Sequence, residues 1–356
     1  MTATLSVNPT FKLVNPLEDP NWDVRLLSHP DYSVFHSSAW AQVMWQTYGY
    51  EPVYLCVIEG NRMLALLPVM EAASWLKGRR GVSLPFTDVC EFLDSRGLIE
   101  STLLPEAIKL GHKRGWKYLE VRGNREHFGN TPTSGQYIAH TLDLCPDPDK
   151  QFERCESGVR RAIRKSEREG VRVEIVRTME GVEHFYRLHC LTRRKHGLPP
   201  QSFTFFRHIH QYIIDKSLGF VSLARWEDKV VAASVFLNIG TRALYKYGAS
   251  DLQFQSLRAN NLVMWEAIKW LGQHGYKTLH FGRSDVGHDG LRRFKCGWGA
   301  TEQPLEYFRY SFQTNNFAAM DTPPEQLSLG LANRVFQKLP VGVGRLIGKL
   351  AYRHMA

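Results

Sequence analysis

Three short stretches hold the residue types from which chemistry is built. In GLRRFKCGWGA, Gly290 to Ala300, Lys295 stands between Phe294 and a tryptophan, Trp298, that Gly297 and Gly299 bracket. Glycine weakens regular elements, so each of these marks a tight turn or a close backbone approach. Taken alone, the stretch also reads as a surface lysine followed by a tryptophan that plugs the core. In FGRSDVGHDG, Phe281 to Gly290, Arg283 and Asp285 come at a strand's end, where functional groups gather on sheets flanked by helices. The alternative there is a pair that holds the loop. In SGVRRAIRKSEREGVRVEI, Ser157 to Ile175, residues Arg160, Arg161, Arg164, Lys165 and Arg168 fall on one stripe of a helix. Such a stripe suits a nucleotide or lipid pyrophosphate or the tRNA backbone. Glu167 and Glu169 interrupt it, and an ordinary solvated helix has the same pattern.

The elements that must position these residues come in two copies. EAIKLGHKRGWKYL from Glu106 and EAIKWLGQHGYKTL from Glu266 share Glu-Ala-Ile-Lys at an offset of 160, and the matches continue without a gap at Gly115/Gly275, Lys117/Lys277 and Leu119/Leu279. Each reads as an amphipathic helix stopped at its glycine and followed by a strand. Upstream, YLCVIEGNRMLALLPVM and SLARWEDKVVAASVFLNI each read as two strands around a polar turn, preceded by helical stretches at Trp40 to Tyr48 and Phe203 to Asp215. Duplication accounts for the ordered series. The seam is LDLCPDPDK, Leu142 to Lys150. The expected organisation is a leader at 1–30, repeat one at 31–145, repeat two at 150–312, and a loop with a basic tail at 313–356.

Composition narrows the class. The chain has 356 residues, 43% hydrophobic and 22% charged, as in a globular protein. Its 45 Lys and Arg against 35 Asp and Glu give a net charge of +10, which favours anionic partners. Six scattered cysteines without a CxxC pair read as free thiols of a reducing compartment. There is no HExxH, no GxSxG and no P-loop, so a hydrolase or nucleotidase is not expected and no metal is. Without a signal peptide or an apolar run long enough to span a bilayer, the expected location is the cytoplasm.

Tandem α/β units joined by a basic helix, followed by YKYGAS, NNLVMWEAIKW, FGRS and GLRRFKCGWGA, resemble the FemABX aminoacyltransferases and their BioF2-like acetyltransferase relatives over about residues 31–312. The resemblance implies two tandem acyl-CoA N-acyltransferase (GNAT-type) domains with mixed sheets, and transfer of an activated acyl or aminoacyl group to an amine. The tetrahedral oxyanion of that reaction needs fixed positive charge or preorganised donors. By the match, Lys295 would stabilise the oxyanion or a donor phosphate and Phe294 would wall the pocket, with Trp298 beside it. Asp285 would accept a proton from the attacking amine, with Arg283 near the substrate. Arg160, Arg161, Arg164 and Lys165 would hold substrate phosphate. Tyr247 in YKYGASD, whose alternation puts it on one sheet face with Tyr245, and Asp88 in PFTDVCEF would contact the acceptor. Core packing and turn capping are the plainer readings of that tyrosine and that aspartate.

One departure bears on the donor. GNAT enzymes hold the CoA pyrophosphate in a Q/R-x-x-G-x-G/A loop at a helix N-terminus. Here the corresponding segments are QSLRANNL from Gln255 and SRGLIEST from Ser95, which lack that glycine pattern. This shifts the expectation toward aminoacyl-tRNA, with acyl-CoA as the alternative donor; neither is a permanently bound cofactor. The expected acceptor is a phosphorylated or lipid-linked amine of a cell-envelope precursor. An RNA- or membrane-binding module with a degenerate acyltransferase fold is the non-enzymatic alternative. Beyond Pro340, Arg345, Lys349 and Arg353 share a helical face while Leu346, Ile347, Leu350 and Ala351 form an apolar side. That pattern suits an interfacial helix on anionic lipid, or a helix docked on the body.

Overall fold

The computed structural model of the chain describes residues 8–90, 92–123, 125–319 and 333–355. Its strands in chain order are β1 (Thr10–Val14), β2 (Glu51–Glu59), β3 (Arg62–Ser74), β4 (Gly78–Val82), β5 (Leu93–Asp94), β6 (Tyr118–Gly123) and β7 (Gly135–Asp143). There follow β8 (Arg172–Val176), β9 (Gly219–Trp226), β10 (Lys229–Ile239), β11 (Arg242–Ser250), β12 (Thr278–Asp285), β13 (Thr301–Ser311) and β14 (Asn316–Ala318).

The chain divides into two compact units. The first comprises residues 1–136 with 304–321. Its strands run β1-β2-β3-β4-β6-β13, mixed in direction because β4 and β6 are parallel. The stretch expected as a leader contributes structure here: β1 pairs antiparallel with β2, and Trp22 and Leu26 are fully buried. The core gathers Leu67, Val69, Trp116, Leu119, Val121 and Phe308.

The second unit comprises residues 137–303 with 322–355, and its strands run β7-β12-β11-β10-β9-β8. Only β11 and β12 are parallel there. Its core gathers Phe220, Phe236, Trp265, Leu279, Phe281 and Trp298.

Unit membership departs from the repeat boundaries at the last strand of each repeat. From Tyr137 onward β7 groups with the second unit, pairing Leu142 with Leu279. From Pro304 onward β13 groups with the first, pairing Phe308 with Val121 and burying that phenylalanine. A strand's own pattern fixes which face is apolar, not which sheet it joins.

The duplicated helices are Leu104–Arg114 and Ala259–Gln273. The glycines expected to stop them do so: Gly115 and Gly275 lie at φ +67° and +81°. Of the loop expected from Asn315, only the part up to Ala319 lies within the described residues, and there Asn316–Ala318 is not loop but β14, paired antiparallel with β13. The tail helix Val341–Ala351 docks on the second unit through its small residues. A Cβ at Gly348 would lie 1.8 Å from the Pro200 carbonyl oxygen, and Arg193 donates to the Tyr352 hydroxyl at 2.8 Å. Among the described residues no helix is long and apolar enough to cross a membrane.

Candidate active site

Within the second unit, β11 and β12 pair for three residues only, from Arg242–Thr278 to Leu244–His280. Beyond that point the ladder stops. A bulge then deflects β11: Phe236 of β10 opposes Tyr245 while Val235 opposes Tyr247, leaving Lys246 as the extra residue. An inserted residue resets the two-residue alternation of a strand. The two tyrosines, expected on one face, therefore take opposite faces. Tyr245 lies 5.6 Å from Phe236 and 6.1 Å from Phe281. Tyr247 sits among Phe185, His189 and Phe206, and its hydroxyl accepts from Gln201 at 3.3 Å.

A cavity of about 230 Å³ adjoins this divergence, lined by Thr192, Lys195, Ser234, Tyr245, Asn260 and Phe294 among others. That volume suits the reactive end of a donor rather than a whole carrier. Burial pushes the Tyr245 hydroxyl up to about 12, so it lines the cavity as a neutral phenol.

Lys295 comes from the short helix Asp289–Cys296, which follows β12. The reading of a surface lysine fails: its side chain is 2% exposed. Its ammonium donates to the carbonyls of Gly282 at 3.2 Å and Arg283 at 2.8 Å. Successive carbonyls of a regular strand point to opposite neighbours. Here the ladder between β12 and β7 slips between His280 and Arg283, and Gly282 sits at φ +71°, so both oxygens turn to one lysine. The left-handed conformation explains why a glycine stands there.

The bracketing glycines also have distinct reasons. A Cβ on Gly297 would come within 3.1 Å of Val159, on the basic helix Ser157–Arg168, whose preceding residue Glu156 donates its N–H to the Gly297 carbonyl at 2.8 Å. Gly299 lies at φ +87° against the Arg154 carbonyl. Trp298 is fully buried in the core, 6.2 Å from Phe294 in an edge-to-face contact. It anchors the turn from below and does not line the cavity.

The remaining expected residues are spread more widely. Asp285 is exposed at the end of β12, and its carbonyl accepts from the His288 N–H. The Arg283 guanidinium lies 4.0 Å from the centre of the Tyr137 ring. On the basic helix, Arg161 and Arg164 are exposed while Arg160 and Lys165 are half-buried. Arg164 stacks 5.2 Å from the Phe152 ring, and Arg160 donates to the Glu153 carbonyl at 3.4 Å. Asp88 belongs to the first unit, half-buried in the loop after β4, where its carbonyl accepts from the Tyr307 hydroxyl at 2.9 Å.

Sequence reading missed a buried histidine close to Lys295. His140 on β7 is fully buried, and its Nε2 lies 3.1 Å from Glu302 Oε1. Arg292 forks both oxygens of Glu302 at 2.9 and 2.8 Å and holds that carboxyl down to about 2. Burial, and then the charge of Lys295, push His140 down. Nothing local in sequence marks His140, because its partners lie some 150 residues away. His140, Cys296 and Glu302 bring potential metal-ligand atoms within 4.8 Å of one another. The Arg292 fork already supplies the cation for Glu302, and Lys295 adds positive charge, so these surroundings disfavour a divalent ion.

The loop after β11 offers a second feature. Arg258 takes φ +57°, a left-handed conformation, immediately before the helix Ala259–Gln273. Such a backbone disfavours any residue but glycine by about 1–2 kcal/mol. The turn is thus kept without the glycine, fixed by Asp251 accepting from the Gln253 N–H and by Asn260 donating to Ser250.

Residues 153–298 match the acetyltransferase (GNAT) domain profile. That match spans 146 of the 356 residues, all within the second repeat. Over 75 residues it is 31% identical to the lipid II:glycine glycyltransferase of Staphylococcus haemolyticus, covering 19% of this chain and 18% of that relative. The chain thus matches under a fifth of that relative's length. The fold of FemX superposes with a TM-score of 0.69 at 14% identity, over 86% of this chain and 98% of that one. A tandem GNAT protein of the clavulanic acid pathway superposes at 0.54 with 9% identity, covering 85% and 98%. The L-PGS structure from Bacillus licheniformis does so at 0.54 with 11% identity, covering 90% and 98%. The tandem GNAT architecture implied by the resemblance is therefore the fold of this chain, and residues 153–298 of its second repeat match the GNAT domain.

Proposed function

We propose that this chain transfers an activated acyl or aminoacyl group to an amine of a cell-envelope precursor, such as a peptidoglycan peptide, an amino sugar or a lipid-linked intermediate. One observation carries the reading: Lys295 is buried, with its ammonium on two carbonyls of β12, and the residue before it in the chain, Phe294, lines the cavity. The amine nitrogen attacks the donor carbonyl carbon, and the carbonyl π electrons move to oxygen. Lys295 supplies fixed positive charge for that oxygen or for a donor phosphate. Collapse expels the ribose oxygen or thiolate as the nitrogen loses its proton, for which exposed Asp285 is the candidate acceptor. Arg160, Arg161, Arg164 and Lys165 hold substrate phosphate. The names of two relatives, a lipid II glycyltransferase and FemX, support the aminoacyl version.

The acyl-CoA version has its own support in Arg258, which keeps a left-handed turn at the helix N-terminus without the customary glycine. Calorimetry with acetyl-CoA separates the two. The aminoacyl version expects a dissociation constant at or above roughly 1 mM. Micromolar binding would overturn it in favour of the thioester. For the acyltransfer reading as a whole, mass spectrometry of donors captured by the purified chain should find an aminoacyl-tRNA or a CoA thioester. Capture of neither would leave the non-enzymatic module. Docking leaves Val343, Leu346 and Leu350 facing outward, which supports the expected contact of the tail with anionic membrane. A Leu346→Ser/Leu350→Ser variant should then bind anionic vesicles less well, and unchanged binding would remove that contact.

A further inference from the structure

The hairpin between β3 and β4 ends in a feature that amide transfer does not use. Ser74 faces Gly78 across the ladder, and the turn Trp75-Leu76-Lys77 joins them. Trp75 is 84% exposed and Leu76 57%. Tryptophan is rarely so bare, since leaving it in water forgoes the burial of a large apolar surface. The turn is held in shape: the Leu76 and Lys77 N–H groups both reach the Ser74 hydroxyl, at 3.3 and 3.4 Å, and Gly78 takes φ +73°.

Cations collar this tip. Lys77 and Arg79 are exposed on the hairpin itself, and the exposed Lys117 lays its stem across Gly78, where a Cβ would come within 2.6 Å of Cε. The nearby carboxylate, Glu71, is buried and already engaged by the Trp116 indole at 2.6 Å and Arg114 at 3.3 Å, with Arg79 only at 3.9 Å. The apolar tip is therefore flanked by the exposed cations Lys77, Arg79 and Lys117.

We infer that this hairpin inserts its tip into the headgroup region of an anionic bilayer. A stable protein interface buries at least about 1,000 Å² over a complementary surface. Two protruding side chains offer far less, whereas a bilayer interface closes around a convex tip from every side. Tryptophan favours that interface, and flanking Lys and Arg meet anionic headgroups. The inference stands on the first unit alone and does not depend on the proposed chemistry.

The test is flotation of the full chain with vesicles of phosphatidylcholine alone or mixed equally with phosphatidylglycerol. The wild-type chain should float with the mixed vesicles and much less with the neutral ones. Trp75→Ala/Leu76→Ser should weaken that binding about tenfold or more. Lys77→Ser/Arg79→Ser should weaken it at low salt and little at high salt. Both pairs are exposed, so unchanged circular dichroism and melting temperature should accompany the loss. Absence of wild-type binding would overturn the inference, as would tip variants that float like wild type. Binding lost only in the Leu346→Ser/Leu350→Ser variant would assign the membrane contact to the tail instead.

Discussion

The two units contain the same junction and finish it differently. In each, a strand pairs briefly in parallel with the strand that follows the duplicated helix: Gly81–Leu119 and Val82–Glu120 in the first, Ala243–Leu279 and Leu244–His280 in the second. Past that point the first unit fills the opening with its own chain. Arg122 donates to the carbonyls of Leu84 and Thr87 at 3.1 and 2.5 Å, pairs with Glu120 at 3.0 Å and stacks on Tyr307. The loop it secures places Leu84 and Phe86 at φ +51° and +60°. At the offset of 160, Arg122 corresponds to Gly282. In the second unit that glycine turns its carbonyl to Lys295, and a cavity adjoins the gap. Duplication preserved the scaffold, while the first junction is sealed by the Arg122 guanidinium and the second is arranged around a buried ammonium.

The comparison breaks first, and most heavily, at Arg122. Arg122→Met leaves two carbonyls and part of Glu120 without their partner, so urea unfolding should show a loss of about 3–5 kcal/mol. Donor binding should not change in whatever fraction stays folded. A variant as stable as wild type would mean that Arg122 does not seal the first junction. At the second junction, Lys295→Met should lower turnover about 100- to 1000-fold, or about 2.7–4 kcal/mol. Because Lys295 also satisfies two carbonyls, stability should fall as well, by about 1–3 kcal/mol. Lys295→Arg should restore little turnover, since the broad guanidinium does not fit a site shaped for a compact ammonium. Wild-type turnover at reduced stability would make Lys295 a staple, the true counterpart of Arg122.

The smallest effect concerns Glu302. Its carboxyl titrates near 2 in the folded chain, below the unfolded value of about 4.3. A depressed carboxyl contributes stability that is complete above the unfolded pKa and is lost as the pH falls through the folded one. Glu302→Gln should therefore destabilise by about 0.2–1 kcal/mol near neutrality, as for a partly exposed ion pair. The difference from wild type should vanish as the pH approaches about 2. A difference independent of pH would show that the Arg292 fork is not what holds this end of the second unit.

Much of this was legible in the residues, for local reasons. The offset of 160 announced two similar units, and Gly115 and Gly275 announced the helix ends because few other residues take positive φ. The bracket around Trp298 announced crowding, which proved to be Val159 against Gly297 and a left-handed turn at Gly299. The tyrosine alternation misled, because the bulge at Lys246 leaves no mark in a pattern of period two.

The duplicated elements, the basic helix and the lysine set among aromatics and glycines all follow from local residue patterns, the first of them repeated at an offset of 160. Only the tertiary structure decided that Lys295 is buried on two carbonyls of β12, that His140 and Glu302 meet nearby, and that β7 and β13 group with the opposite repeats' units. Those outcomes rest on which strand finds which neighbour. Apolar alternation says which face a strand buries; it is silent about the partner that brings Glu302 to His140.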